Sequence, residues 1–356
     1  MLKNGIEIIN IKQTRLKESL LENPGFGSIF SDHMFSSVYE NGKWTEPKVM
    51  PFGDISVSPA LTSLHYGQAI FEGLKAFYTK DGMINIFRPD KYHERMNRSA
   101  RRLCIPDMSY DLFINGLKEL ISLDRDWIPK KKGFSLYIRP FIFATDNFLG
   151  VRVSDTYRFF VITSPVGAYY KEGINPVRLM TSGEYVRAVR GGLGSAKTPA
   201  NYAASLLPAE IAKKKGFTQV LWLDAVERKY IEEVGTMNIF FLINDEVITP
   251  SLEGSVLAGV TRDSVIHLAK NWGMKVTERK ISIEEVFETA KDGSLKEVFG
   301  TGTAAVISPV GEIEHNGDRI IINNSKIGQF SQKLYDTISG IQYGEKKDEF
   351  GWIYTI

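Results

Sequence analysis

A lysine, a carboxylate and a set of glycine-rich turns are the parts of this 356-residue chain best suited to chemistry. The lysine, Lys197, stands in GGLGSAKT (191–198), one glycine short of the phosphate-binding loop G-x-x-x-x-G-K-[ST]. VLWLDA (220–225) could follow as the apolar strand that ends in a magnesium-binding aspartate, Asp224. A nucleotide loop, however, needs a buried apolar strand feeding it and backbone amides that cradle phosphate. Arg187 and Arg190 precede this loop, Ala196 takes the place of the second glycine, and Pro199 removes an N–H where one is wanted. The near-match carries little weight.

Downstream of the lysine, three segments suit a different chemistry. IEEVGTMNIFFL (231–242), LAGVTRDSV (257–265) and VFGTGTAAVISPVGEI (298–313) each place polar or glycine-rich groups at a strand end or helix start. Backbone amides face a ligand at such places. An amine, an acid and two anion-holding turns are what a pyridoxal phosphate enzyme requires. The amine forms a Schiff base with the aldehyde, and the acid keeps the pyridine nitrogen protonated.

The elements that must position these groups are legible from periodicity and turn chemistry. MFSSVYENGKW (34–44) alternates into an Asn41-Gly42 hairpin turn, and LKAFYTKDGMINIF (74–87) repeats the pattern around Asp81-Gly82. Asp90 is expected to cap a helix over KYHERMNRSARRL, and a second amphipathic helix covers 111–123. Strands are expected at 134–143 and 157–166, giving an α+β domain on antiparallel sheet. GAYYKEGINPVRL (167–179) has the composition of a crossover. Beyond it, strands and helices alternate, and the last dozen residues, EKKDEFGWIYTI, are expected to form a surface tail.

Composition excludes several classes. Forty-four basic against 42 acidic residues give a net charge of +2, too little to call for DNA or an anionic membrane. No apolar stretch approaches the roughly 20 residues of a membrane span, and the N-terminus lacks a signal-peptide core. The single cysteine, Cys104, fits a reducing cytoplasm. His33, His65, His93, His267 and His315 lack metal-ligand spacing, so no metal is expected.

Several ordered motifs together resemble the fold-type IV pyridoxal phosphate enzymes, and within them the branched-chain amino acid aminotransferases. These are GFGSIFSDHMF, HYGQAIFEGLKAF, RPDKYHERMNRSARRL, SLYIRPFI, SAKTPANYAASL, YIEEVGTMNIFF and LAGVTRDSV, spanning about residues 25 to 340. The resemblance implies a two-domain α+β protein: a small antiparallel-sheet domain (1–166), an interdomain loop (167–177) and a larger β-barrel-like domain (178–356) carrying the lysine. It implies a cytoplasmic homodimer that moves an amino group reversibly between leucine, isoleucine or valine and 2-oxoglutarate. A D-amino acid aminotransferase or an aminodeoxychorismate lyase on the same fold is the alternative.

The resemblance also implies roles. Lys197 is the Schiff-base lysine and proton carrier, Glu233 the acid at the pyridine nitrogen, and Tyr202 the partner of the cofactor's phenolic oxygen. Arg95, Val260, Thr261 and Thr303 hold the phosphate. Helical spacing puts Arg95 on one face with Tyr92 and Ser99, away from Arg98 and Arg102. Phe26, Tyr66, Phe71, Tyr137, Thr236 and Ala304 form the substrate pocket, with the Ala304 amide and Thr236 hydroxyl on the α-carboxylate. Strand alternation sets Arg139 beside Tyr137, a cation next to an aromatic wall, as a site taking both apolar and dicarboxylate substrates would use. Leu149 and Val151 of FLGV complete the pocket of the partner in the dimer. Glu232, by alternation, faces away from Glu233 and is expected to be an exposed strand residue. Where mammalian members carry a C-x-x-C redox pair, this chain has Ala305 and Ser308.

Overall fold

The computed structural model describes residues 1–167 and 175–356, so most of the expected interdomain loop, at 168–174, lies outside the described residues. The chain divides into two compact units. The first gathers Met1–Lys171, Ala196–Pro199 and Gly340–Ile356; the second gathers Glu172–Ser195 and Ala200–Ser339.

The first unit is built on ten strands: β1 (Leu2–Lys3), β2 (Ile6–Ile8), β3 (His33–Glu40), β4 (Lys43–Pro51), β5 (Ala69–Phe71), β6 (Leu74–Tyr78), β7 (Ile84–Phe87), β8 (Ser135–Ala144), β9 (Tyr157–Val166) and β19 (Ile353–Thr355). They run in the order β1-β2-β4-β3-β9-β8-β6-β7-β19, with β5 also on β8. Every pairing but β2–β4 is antiparallel. Asn41 and Gly42, at φ 51° and 78°, make the β3–β4 turn that the sequence announces.

Of its helices α1 (Glu18–Glu22), α2 (Thr62–Tyr66), α3 (Pro89–Arg102) and α4 (Tyr110–Leu123), the last two matter for the site. In α3 (Pro89–Arg102) Tyr92, Arg95, Met96, Ser99 and Ala100 are buried while Arg98 and Arg102 are exposed, a stripe of helical period. Asp90 does not cap it. Pro89 occupies the first helical position, for which its ring is preorganised, so the cap position falls to Arg88 in a left-handed conformation. In the other, α4 (Tyr110–Leu123), Ser109 Oγ accepts from the Leu112 amide as a true cap. Gly116 of α4 lets the ring of Phe35 in β3 approach to where a Cβ would meet it at 3.0 Å.

The C-terminal residues, expected as a surface tail, add a strand to the edge of the sheet. β19 pairs with β7, Trp352 is buried, and its ring stacks on Phe350 at 4.4 Å and meets Phe87 edge-on. An edge strand offering unpaired amides, and a large aromatic to bury, are reason enough for the ordering.

The second unit contains β10 (Val177–Thr181), β11 (Gln219–Leu223), β12 (Ile231–Val234), β13 (Asn238–Ile243), β14 (Glu246–Thr249), β15 (Lys275–Glu278), β16 (Leu295–Gly302), β17 (Val306–His315) and β18 (Asp318–Ile321). Their order is β12-β11-β10-β17-β16-β13-β14-β15, with β18 on β17. β12 and β13 also meet directly: Val234 and Met237 exchange backbone hydrogen bonds of 2.9 and 2.8 Å across the turn at Gly235-Thr236. The sheet is therefore drawn round on itself, the curled half-barrel of the larger domain. All six residues of β13 are buried, and Phe240 stacks on Phe299 of β16 at 5.3 Å. Each such ring contributes about 2–3 kcal/mol by leaving water. The helices α5 (Pro199–Lys214), α6 (Val260–Asn271), α7 (Ile283–Lys291) and α8 (Gln329–Gln342) complete the fold; α8 reaches into the first unit's C-terminal segment.

Candidate active site

The first unit holds the lysine. Its octapeptide is a series of turns with no strand leading into it, and α5 starts only at Pro199, so the layout of a nucleotide loop is missing. Asp224, the other half of that reading, accepts four backbone N–H bonds, from Val226, Glu227, Lys229 and Tyr230. Those bonds outweigh its burial and hold its carboxyl below the usual range. It organises a turn.

Residues 196–199 are instead stitched to the first unit's own elements. The Lys197 amide donates to Ser99 Oγ of α3 at 2.9 Å, its carbonyl accepts from the Phe71 amide at 3.1 Å, and Thr198 Oγ1 donates to the Ala69 carbonyl at 2.8 Å. These bonds explain why Lys197 clusters here, although its position in sequence suggests the C-terminal domain. Three fixed backbone or hydroxyl contacts aim one side chain.

That side chain begins a continuous constellation. Lys197 Nζ lies 4.9 Å from the centroid of Phe71, and Arg139 Cζ lies 4.8 Å from the same ring. Arg139 Nη2 donates to the Tyr137 hydroxyl at 2.9 Å, and Phe26 packs edge-on against Tyr137 at 5.0 Å. Five residues expected in the site thus touch in sequence: Lys197, Phe71, Arg139, Tyr137, Phe26. Gly73 makes room for them, since a Cβ there would stand 2.0 Å from the Tyr137 hydroxyl. Phe26 is half exposed. Tyr66 donates its hydroxyl proton to the Leu149 carbonyl, and Leu149 and Val151 are exposed at 63% and 84%. Within this chain, Leu149 therefore keeps company with Tyr66.

Arg95 is buried, and it does not stand alone. Its Nε and Nη2 donate to the two carboxylate oxygens of Glu72 at 2.7 and 2.8 Å. A bidentate pair of this kind fixes the plane of a guanidinium.

The second unit holds the acid. Glu233 is 3% exposed on β12. Its Oε1 accepts from Asn238 Nδ2 at 3.0 Å and from the Leu257 amide at 3.2 Å. Arg187 Nε approaches its Oε2 at 2.5 Å, an ion pair without hydrogen-bond alignment, since that Nε counts no hydrogen-bond partner. Arg187 Nη2 also donates to the Ser255 carbonyl. A buried carboxylate needs such a cation and such donors to offset the loss of water. Glu232, expected on the exposed face, is only partly so: Ser255 Oγ donates to it, and burial pushes its carboxyl up.

A cleft in this unit is lined by Glu233 together with Arg187, Tyr202, Ser205, Thr236 and Leu257. The turn that carries Thr236 is fixed by Gly235, whose amide donates to the Val220 carbonyl and whose carbonyl accepts from Trp222 Nε1, both at 2.8 Å. Close by, Val260 and Thr261 form the first turn of α6, where amides point out of the positive helix end. Gly259 precedes them; a Cβ there would fall 2.0 Å from Asn238 Oδ1. Thr303 and Ala304 stand in the tight connection between β16 and β17, half-buried; the run 298–310 is a hairpin rather than a single strand.

Arg187, Asn238, Glu72, Ser99 and Gly73 escape the sequence reading. Arg187 reads only as poor strand material, and it lies in no strand. The available signal is a buried acid that requires a cation within reach. Glu72 offers none, because nothing in FEGLK says which arginine it meets.

Comparison with known proteins bears on the arrangement. The amino-transferase class IV sequence profile matches residues 69–313. Branched-chain-amino-acid aminotransferase 2 of Bacillus subtilis is 56% identical over 328 residues, covering 92% of this chain and 90% of its own. A probable branched-chain-amino-acid aminotransferase of Staphylococcus aureus is 53% identical over 344 residues, covering 95% and 96%. Among solved structures, the branched-chain amino acid aminotransferase of Escherichia coli superposes with a TM-score of 0.74 at 28% identity, over 90% of this chain and 98% of that one.

Proposed function

The chain belongs to the class IV aminotransferases, and from that premise we propose how its two constellations divide the work of a pyridoxal phosphate-dependent transaminase. The reaction moves an amino group between leucine, isoleucine or valine and 2-oxoglutarate, giving a branched-chain 2-oxoacid and glutamate.

The residues present fit the cofactor. A buried Glu233 carboxyl with its own cation partner suits a ring nitrogen that must stay protonated, and the α6 amides suit a phosphate. Gly259, just before that helix end, leaves room for the Asn238 amide that donates to Glu233. Lys197 would hold the aldehyde, Glu233 the ring nitrogen and Tyr202 the phenolic oxygen. Val260, Thr261, Thr303 and Arg95 would hold the phosphate, with Glu72 fixing the arginine's plane. When bound, pyridoxal phosphate supplies an aldehyde for amines and a cationic ring that draws electrons from the substrate's α-carbon.

The chain's own contribution is proton transfer and selection. Lys197 Nζ would carry the proton between the substrate's α-carbon and the cofactor's C4′ carbon, in one direction for each half-reaction. Its reach is set by the Ser99, Phe71 and Ala69 contacts, which leave the amine little freedom at its root. Phe26, Phe71 and Tyr137 give an apolar wall that accepts Leu, Ile and Val with little discrimination, since a methylene is worth only about 1–3 kcal/mol. Arg139 supplies the cation for a dicarboxylate. The Thr236 hydroxyl and the Ala304 amide hold the α-carboxylate. Leu149 and Val151, strongly exposed in one chain, would be covered in a homodimer by closing on the partner's pocket. Among the described residues no helix is long and apolar enough to cross a membrane, and we place the protein in the cytoplasm.

The observation that carries this division is the contact of Lys197, Phe71, Arg139 and Tyr137 in one unit and the buried, cation-paired setting of Glu233 in the other. Rapid mixing of the purified holoenzyme separately with L-leucine, D-alanine and aminodeoxychorismate tests it. L-leucine alone should change the cofactor's visible absorbance and release the 2-oxoacid; release from D-alanine would overturn the substrate reading.

A further inference from the structure

Glu232 has no part in the division of work above, yet its surroundings are those of a functional group. Alternation along β12 sends its side chain to the face opposite that of Glu233. There Ser255, itself buried, donates its hydroxyl proton to Oε1, while Oε2 is buried with no hydrogen-bond partner. An acceptor left in this state calls for a reason beyond strand packing.

Ser255 is engaged at both ends. Its carbonyl accepts from Arg187 Nη2, and Arg187 Nε stands 2.5 Å from Glu233 Oε2. Glu232, Ser255, Arg187 and Glu233 therefore form one chain of contacts that links the two faces of β12. The middle of the chain is closely packed. A Cβ on Gly194 would meet the Ser255 carbonyl oxygen at 2.1 Å, and the Gly194 carbonyl accepts a longer bond of 3.4 Å from Arg187 Nη2. The Nε contact with Glu233 lacks hydrogen-bond alignment, so the bonds of Nη2 are what orient the guanidinium. Burial also pushes the Glu232 carboxyl up, against the pull of the Ser255 bond and the Arg187 charge. A carboxyl shifted toward its uncharged form competes less for that charge and leaves it to Glu233.

We propose that Glu232 is a positioning residue for the reaction: through Ser255 it steadies Arg187 against Glu233, and so sets how that acid meets the cofactor's ring nitrogen. Both half-reactions depend on it alike, because the ring is common to them, and the substrate wall does not. The proposal rests on the transaminase reading given above.

The test uses holoenzyme and reads four quantities: the maximal single-turnover rate and the substrate affinity, each with L-leucine and with L-glutamate, the cofactor's visible absorption, and its dissociation constant. Glu232→Leu should lower the rate about fivefold to tenfold for both substrates, the worth of one hydrogen bond. Substrate affinity should stay within about twofold, as for a contact that matters only to the chemical step. The absorption maximum should shift, and the cofactor should dissociate more readily. Glu232→Gln keeps an oxygen for the Ser255 hydroxyl and should restore the rate and the spectrum. Ser255→Ala should match Glu232→Leu, and the double variant should lose no more than either one, since both cut the same contact. Should the leucine variant not fold, Ser255→Ala gives the same readings by itself. An unchanged rate and spectrum, with only a lower melting temperature, would make the contact purely structural and overturn the proposal, as would additive losses in the double variant. If the unaltered enzyme turned over neither substrate, the transaminase reading would fail instead.

Discussion

The two units hold their functional groups in opposite styles. The acid of the second unit is 3% exposed and has a cation, an amide side chain and a backbone N–H around it. In the first unit the lysine is fixed through its backbone, and the aromatic residues in line with it grow more exposed outward, to 51% at Phe26. Tyr66, at 43%, and Leu149, at 63%, are also exposed. The contrast matches the tasks proposed for them. A group that sets the charge of a cofactor ring gains from rigidity and from a field that does not change. A wall that meets several apolar side chains, and then a dicarboxylate, gains from adaptable packing.

This contrast makes changes in the second unit act on kcat and changes in the first unit's wall act on KM, with Lys197 the exception. Lys197→Ala should abolish turnover, by about 10⁴-fold or more, because it removes the proton carrier. The visible absorbance of the cofactor should shift with it, and an unaltered rate would refute the assignment. Glu233→Ala should lower kcat by about a thousandfold with KM little moved; a loss below tenfold would remove the acid from its role. Arg187→Leu strands a buried carboxylate, a change that costs about 3–5 kcal/mol where it has been measured. A lower melting temperature together with a kcat loss is expected, and Arg187→Lys should restore part of both. Should only KM change, the comparison breaks at this residue.

The first unit supplies the smaller effects. Gly73→Ala forces the Tyr137 hydroxyl aside, at about 1–3 kcal/mol for an overpacked site. Steady-state kinetics should show a raised KM for leucine and for 2-oxoglutarate, with kcat close to normal. Ser99→Ala removes one acceptor from the Lys197 amide, worth about 1 kcal/mol. Its kcat should fall about fivefold, and a fall as large as that of Lys197→Ala would show that Ser99 does more than anchor the loop.

Much of the architecture was legible because it is written locally. Asn41-Gly42 and Asp81-Gly82 require hairpins, and the 3.6-residue stripe of α3 predicts that Arg95 turns inward while Arg98 does not. The readings that failed mostly depended on partners remote in sequence. Asp90 is the local exception, losing the cap to the preceding Pro89. EKKDEFGWIYTI is polar enough to suggest only a surface tail, yet Trp352 finds Phe87 more than 260 residues upstream. Glu232 resembles an exposed strand residue until Ser255 is brought against it.

What the sequence determined by itself is the chemical inventory: a lysine before a helix, an acid on a short strand, glycine turns and a helix start suited to anions. Such features repeat at fixed short spacings, where backbone geometry alone dictates direction. Only the tertiary structure decided which charges are paired. Arg187 reaches Glu233 across 46 residues, and Glu72 meets Arg95 across 23. The physical reason is desolvation: a charge placed in a packed interior must find its partner wherever folding delivers one, and sequence distance places no limit on that search.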